Sequence, residues 1–299
     1  MRAHKRLNVR LLEVFVAVAR HQGFMGAQQA LNLTTSAISN YMSELEAQLG
    51  FVLCQRGRAG FQLTEKGEQF LHQTVQFLGE FDALERSVEA IKGDLGGRLT
   101  MSVLDATVLD TTLSLPNVIR QFNQRYPAVH LDLQVRTPYE QIHGILNNQL
   151  DIAIGNVPSA VNNIIGRELY REQHWLYCAD SHPLFETPQL TVERITQYGF
   201  VTRRYWNFSD LRKRGFGHST ATVENMEAQL ALILSGQYVG YLPERYAQHF
   251  VKAQRLKPLL PSQFGYQALL SLICRRGRAR EPLIRAMREL LIQNTADDA

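Results

Sequence analysis

Three cysteines in 299 residues, Cys54, Cys178 and Cys274, are odd in number and far apart, and none stands in a C-x-x-C pair. That excludes a disulfide framework and a cysteine zinc site, and leaves reduced thiols. The nine histidines are scattered, without H-E-x-x-H or another metal-ligand spacing, so neither metal nor cofactor is indicated. "GFG" at Gly215–Gly217 is a turn signal and not a dinucleotide loop, and Ser, His and Asp occur without a nucleophile elbow. No residue is therefore assigned a catalytic role. The longest apolar runs, Leu230–Leu234 and Ala268–Cys274, fall far short of the roughly 20 residues that a membrane span needs. The opening "MRAHKRLNVR" is charged and leads into an amphipathic pattern, unlike a secretory leader. These absences read as a cytoplasmic chain with no membrane partner.

Hydrophobic residues make up 45% of the 299 residues, ample for one or two packed cores, and two or three domains are expected. Leu11, Leu12, Phe15, Val16 and Ala19 recur at helical spacing. A shorter helix fits Met25 to Leu31 between Gly23 and Asn32, which act as breakers. A third begins at the N-cap Thr34, carries the stripe Ile38, Met42, Leu45, Leu49, and ends at Gly50. The short link between the second and third is what a helix-turn-helix needs. "FVLCQRGRAGFQLTEKG" then gives two extended runs around Gly57–Gly60, a β-hairpin wing. From Lys66, Phe70, Thr74, Phe77, Phe81, Leu84, Val88 and Ile91 alternate steps of four and three. This heptad seam wants a partner helix, although burial within its own monomer is the alternative. "GDLGGR" (Gly93–Arg98) reads as a hinge.

The remainder alternates strand and helix signals. "RLTMSVL", "VHLDLQV" and "DIAIG" surround helical stretches at 113–125 and 139–148, as in βαβ units with a parallel sheet. "HWLYCA", "YGFVTR", a helix at 225–234 and "YVGYLP" form a second set, and "YQALLSLICR" with a helix at 280–292 returns to the first. The expected fold is α plus α/β: a winged helix-turn-helix (1–65), a long dimerising linker helix (66–92), and a two-lobed α/β domain like the periplasmic binding proteins (93–299). Lobe 1 is expected at about 97–166 with 268–299, and lobe 2 at about 167–267. The run "RRGRAR" at Arg275–Arg280 is read as the solvated end of a strand and helix.

The third helix contains no Lys or Arg. This fits a reading helix, because affinity for phosphate and recognition of sequence come from different contacts. Ser36, Asn40 and Ser43 lie opposite the apolar stripe, and Thr35 and Ser39 flank it near the helix start at Thr34. Asn bonds adenine bidentately, and Ser or Thr bonds several bases. Charge comes from Arg56 and Arg58 on the wing and from Arg2, Lys5, Arg6 and Arg10. Residues 1–60 carry seven basic groups against Glu13, Glu44 and Glu46, so the chain's whole formal excess of +4 sits there. A polar helix face alone is more often solvated surface. The order of turn, wing and heptad helix favours double-stranded DNA as partner.

In that order, "LLEVFVAVARHQGFMGAQQALNLTTSAISNYMSELEAQLGFVLCQRGRAGFQLTEKGEQFL" resembles the front of the LysR-type transcriptional regulators. "LPNVIRQFNQRYPAVHLDLQV", "LDIAIG" and "ENMEAQLALILSGQYVGYLP" resemble their rear domain more loosely. The resemblance implies a regulator controlled by a small-molecule effector and assembled as a homotetramer, a dimer of dimers. It departs from the family pattern at Asn40, Ser43, Cys54 and Gln55, which bears on the operator read and not on DNA binding.

Ligands of open α/β sheets lie at the carboxyl ends of strands. That places an effector near Asp105, Ala106, Thr107, Gly155, Asn156, Thr202 and Arg203 or Arg204, faced by the helix start at Asn225. A helix N-terminus and an arginine favour an anionic group, hence a small organic carboxylate, with Tyr205 and Trp206 as an aromatic wall or as core. Two other classes stay open: a solute-transport protein, given the likeness of the rear lobes to solute-binding proteins, and an α/β enzyme with an interaction module. The absence of a leader and of a catalytic constellation counts against them.

Overall fold

Side-chain chemistry sets the ends of the first helices. In the computed structural model, which describes residues 7–57, 60–91, 96–157, 161–205 and 212–296, α1 (Val9–Arg20) starts where Asn8 accepts a hydrogen bond from Arg10 N at 2.9 Å. The second helix, α2 (Phe24–Leu31), stops at Asn32, whose φ of 51° lies in the left-handed region that Asn tolerates. In α3 (Thr35–Leu49), Thr34 Oγ1 accepts from Ala37 N at 3.2 Å, and Gly50 closes the C-terminus at φ 77°. Leu12, Phe15, Val18, Ala27, Ile38, Met42, Leu45 and Leu53 fill the core between the three helices.

The wing is the antiparallel pair β1 (Cys54–Gly57) and β2 (Gly60–Leu63), with Cys54 opposite Leu63. Glu46 fixes its root to α3 by accepting from Leu53 N at 2.7 Å and Cys54 N at 3.4 Å. Thr64 Oγ1 accepts from Gly67 N at the start of α4 (Glu65–Ile91). A Cβ at Gly67 would lie 2.0 Å from the Leu53 carbonyl oxygen, so only glycine lets α4 approach the wing root.

The described residues divide into two compact units, one ending at Val88 and the other starting at Glu89. The second is built on a nine-stranded sheet. Its first half is parallel: β3 (Gly97–Val103) pairs β4 (Val129–Val135) and β5 (Ile152–Gly155). The long strands β6 (Ile164–Ala179) and β11 (Tyr266–Arg275) cross antiparallel to each other. The other half, β7 (Gly199–Arg203), β8 (Ala221–Val223) and β9 (Tyr238–Pro243), is again parallel. The order is β4-β3-β5-β11-β6-β9-β7-β8, with β10 (Leu256–Pro258) on β6. One core, with Met101, Phe122, Ile152, Leu272 and Met287, backs the first half. Two more, around Phe200 and Tyr241 and around Tyr177 and Ile233, cover the two faces of the second.

Two local readings change. The strand expected at "HWLYCA" begins ten residues earlier, at Ile164. Arg167, Glu168, Arg171 and Glu172 mask it, since their stretch is only partly covered and its order comes from pairing with β11. In the basic run, Arg278 is not solvated. Its side chain is 7% exposed, with Nη1 2.7 Å from Asp151 Oδ1 and Nε and Nη2 donating to the two Glu281 oxygens at 2.7 and 2.8 Å. Asp151 Oδ2 accepts from Thr100 N, so the network ties the start of the last helix (Pro282–Ala296) to β3. Arg276 and Arg280 are exposed as expected.

Candidate functional site

The capped start of α3 and its buried stripe orient the opposite face outward. Thr34, Ser36, Asn40 and Ser43 are exposed, and Thr35 and Ser39 are partly covered at the flanks. Thr34 and Ser36 hydroxyls lie 3.0 Å apart. Arg56 sits in β1 opposite Phe61, whereas Arg58, Arg2, Lys5 and Arg6 lie outside the described residues. The arrangement offers short hydroxyl and amide groups on a helix, with a hairpin beside it.

Along α4 the heptad positions divide by use. Phe70 stacks against its own core, 5.7 Å from the Phe15 ring and 6.1 Å from Phe51. Thr74 is buried and donates to the Phe70 carbonyl at 2.7 Å. Beyond it Phe77 is 48%, Leu84 61% and Val88 43% exposed, with Phe81 beside Phe77 at 6.3 Å. The first turns thus follow the own-monomer alternative. The later turns present an apolar stripe.

In the second unit, a small chamber of about 30 Å³ is lined by Asp105, Thr107, Asn156, Glu172, His174, Arg203, Tyr205 and Tyr266, among others. It shares Asn156, Tyr205 and Tyr266 with a cavity of about 1000 Å³, which Arg204, Arg214 and Tyr139 also line. Arg203 is 5% exposed. Its Nη1 donates to Tyr205 Oη at 2.8 Å, and its Nε has no acceptor among the described residues. Burial works against the Arg203 charge, but nearby Tyr205, Tyr266 and Asp105 outweigh it and hold its pKa above the usual arginine value. Arg204 instead reaches the surface and pairs with Glu224 at 3.1 Å.

Ala106 occupies the left-handed region at φ 63°, bringing Asp105 and Thr107 into the chamber wall without lining it. Asp105 Oδ2 accepts from Met226 N at the first turn of the helix Met226–Leu234. The anion position at that N-terminus is thus already held by a side chain of the other half. Asn225 caps the helix, accepting from Ala228 N at 2.8 Å, and Thr202 is buried beside the Arg203 carbonyl; neither lines the chamber. Trp206 lies outside the described residues. Glu172, His174 and Tyr266 were missed. They stand on the crossing strands β6 and β11, and of the three only Glu172 falls in a local signal, the charged stretch "RELYREQ".

Residues 9–68 match the bacterial regulatory helix-turn-helix protein, lysR family, and residues 92–296 match the LysR substrate binding domain. The chain belongs to the LysR-type transcriptional regulators. This LysR-type regulator is 31% identical over 274 residues to the HTH-type transcriptional activator BauR of Pseudomonas aeruginosa, covering 91% of this chain and 90% of that one. Its fold is similar to the crystal structure of CbnR, a LysR family transcriptional regulator, with a TM-score of 0.67, 21% identity, and 97% and 99% of the two chains covered. Full-length CbnR complexed with its target DNA aligns with a TM-score of 0.65 at 21% identity over 96% and 100%. The family is one of DNA-binding, effector-responsive regulators and not of enzymes, so the enzyme and solute-transport alternatives fall. Among the described residues of the regulator, no helix is long and apolar enough to cross a membrane.

Proposed function

We propose that this regulator reads its operator with Ser36, Asn40 and Ser43, with Thr34, Thr35 and Ser39 at the helix start and Arg56 and Arg58 holding phosphate from the wing. The exposed polar face on α3, fixed from behind by Ile38, Met42 and Leu45, supports this reading. Asn40→Ala is expected to alter preference at particular base pairs by about 1–3 kcal/mol. Arg56→Ala weakens binding to all sequences alike and lowers its salt dependence. Gel shifts on single-base operator variants distinguish the two. A uniform loss for Asn40→Ala would remove its assigned role.

The effector is a small organic carboxylate bound in the chamber and its adjoining cavity. One observation carries this: a buried guanidinium, Arg203, with an unused Nε donor and no ion-paired carboxylate in contact among the described residues. Because Asp105 holds the helix N-terminus at Met226, the anionic group falls to Arg203. Asn156 and Thr107 also line the chamber. Arg203→Ala should weaken carboxylate effectors by about 1.5–3 kcal/mol, the size of hydrogen bonds to a charged group. Titration calorimetry decides it, and an effector bound equally by both proteins rejects the site. The stripe Phe77, Phe81, Leu84 and Val88 is the dimerising seam, and domain limits near 65 and 92 separate reading, dimerising and sensing parts.

A further inference from the structure

The chamber around Arg203 contains hydrogen-bonding groups that do not satisfy one another. Arg203 Nε is a buried donor without an acceptor among the described residues. Glu172 Oε2 lies 2.6 Å from His174 Nε2. An ionised carboxylate only accepts, so Nε2 carries the proton. Burial pushes the His174 pKa down against the opposing effect of Glu172, leaving the ring neutral at pH 7 with Nδ1 as a bare acceptor. That Nδ1 is buried and finds no donor among the described residues, while Tyr266 stacks on the ring at 4.8 Å and fixes its plane. Glu172 Oε1 also makes no hydrogen bond among the described residues.

Charge points the same way. Asp105 and Glu172 against Arg203 leave the chamber lining formally one negative charge in excess. A ligand bearing only a carboxylate would add a second, in a site where unpaired buried charge is costly. A ligand bearing both signs leaves the balance unchanged and gives Arg203 and Glu172 each a partner of opposite charge. The chamber as it stands holds about one water, so the ligand enters from the larger cavity that shares Asn156, Tyr205 and Tyr266.

We propose that the effector is an amino carboxylate, its carboxylate on Arg203 and its ammonium on Glu172 Oε1. This deepens, and rests on, the carboxylate reading above.

The test is titration calorimetry on the full chain with the common L-amino acids and unbranched ω-amino carboxylates as probes. Each is compared with its counterpart lacking the amine and its counterpart lacking the carboxylate. At least one amino carboxylate is expected to bind, with both singly charged counterparts weaker by about tenfold or more. Glu172→Gln, which keeps the shape, should lower amino carboxylate affinity about tenfold and leave the plain carboxylate unaffected. If that variant melts early, the ligand comparison on the wild type carries the test alone. A plain carboxylate that binds as tightly as its amino counterpart, and depends on Arg203, overturns this inference and keeps the carboxylate reading. Failure of every probe to bind overturns both.

Discussion

Arg278→Ala is expected to destabilise the sheet-based unit by about 3–5 kcal/mol, the usual cost of removing one member of a buried charge network. Arg278 meets Asp151 and Glu281 at once, and Asp151 is itself tied to the backbone of β3 through Thr100. Without the guanidinium, the buried Asp151 and the partly covered Glu281 both lose the cation that they share. The last helix packs Ile284, Met287 and Leu291 into the core of the first half, so loosening its start exposes that surface. Chemical denaturation of the variant should show a lower midpoint with an unchanged slope. A midpoint equal to that of wild type would mean the network holds nothing.

No local pattern announces Arg278. Its partner Asp151, itself bonded to Thr100 N, comes from a distant part of the chain, and in sequence Arg278 is one basic residue of a run whose neighbours Arg276 and Arg280 do reach solvent. The same reason hid Glu172, His174 and Tyr266, which a crossing strand pair brings together. By contrast α3 was legible almost to the residue, because Thr34, the Ile38, Met42, Leu45 stripe and Gly50 are each local signals. Asp105 was placed at the chamber but its hydrogen bond to Met226 N was not, since a side chain's partner across two lobes leaves no periodic trace. The helix start was read at Asn225, which is its N-cap, yet the carboxylate at that N-terminus is the protein's own Asp105.

Phe77→Glu is expected to remove one assembly step. Phe77, Leu84 and Val88 are exposed at heptad spacing on a 27-residue helix, more apolar surface than one helix leaves in water without a partner. A glutamate at the centre of that seam would be desolvated and unpaired, a cost of several kcal/mol by the order of such transfers, about 3 or more. Sedimentation velocity should show the smaller species. Losing the second reading head should also lower operator affinity by about 10²–10⁴, the gain that linking two sites confers. Phe70 is the internal contrast: its ring lies against Phe15 and Phe51, so Phe70→Ala should lower the stability of the helix-turn-helix unit and leave the seam chemistry intact. An unchanged oligomer for Phe77→Glu would move the interface elsewhere.

The central claim is that two copies of the exposed α3 face read DNA in a fixed relation. Footprinting of the full-length protein on the DNA upstream of its own gene tests it most directly. The account predicts two protected half-sites related by a two-fold axis, their centres about one helical turn or a whole number of turns apart, roughly 34–36 Å per turn. Asn40→Ala should shift which bases within each half-site matter. Protection without two-fold symmetry, or no protection at any sequence, would contradict it.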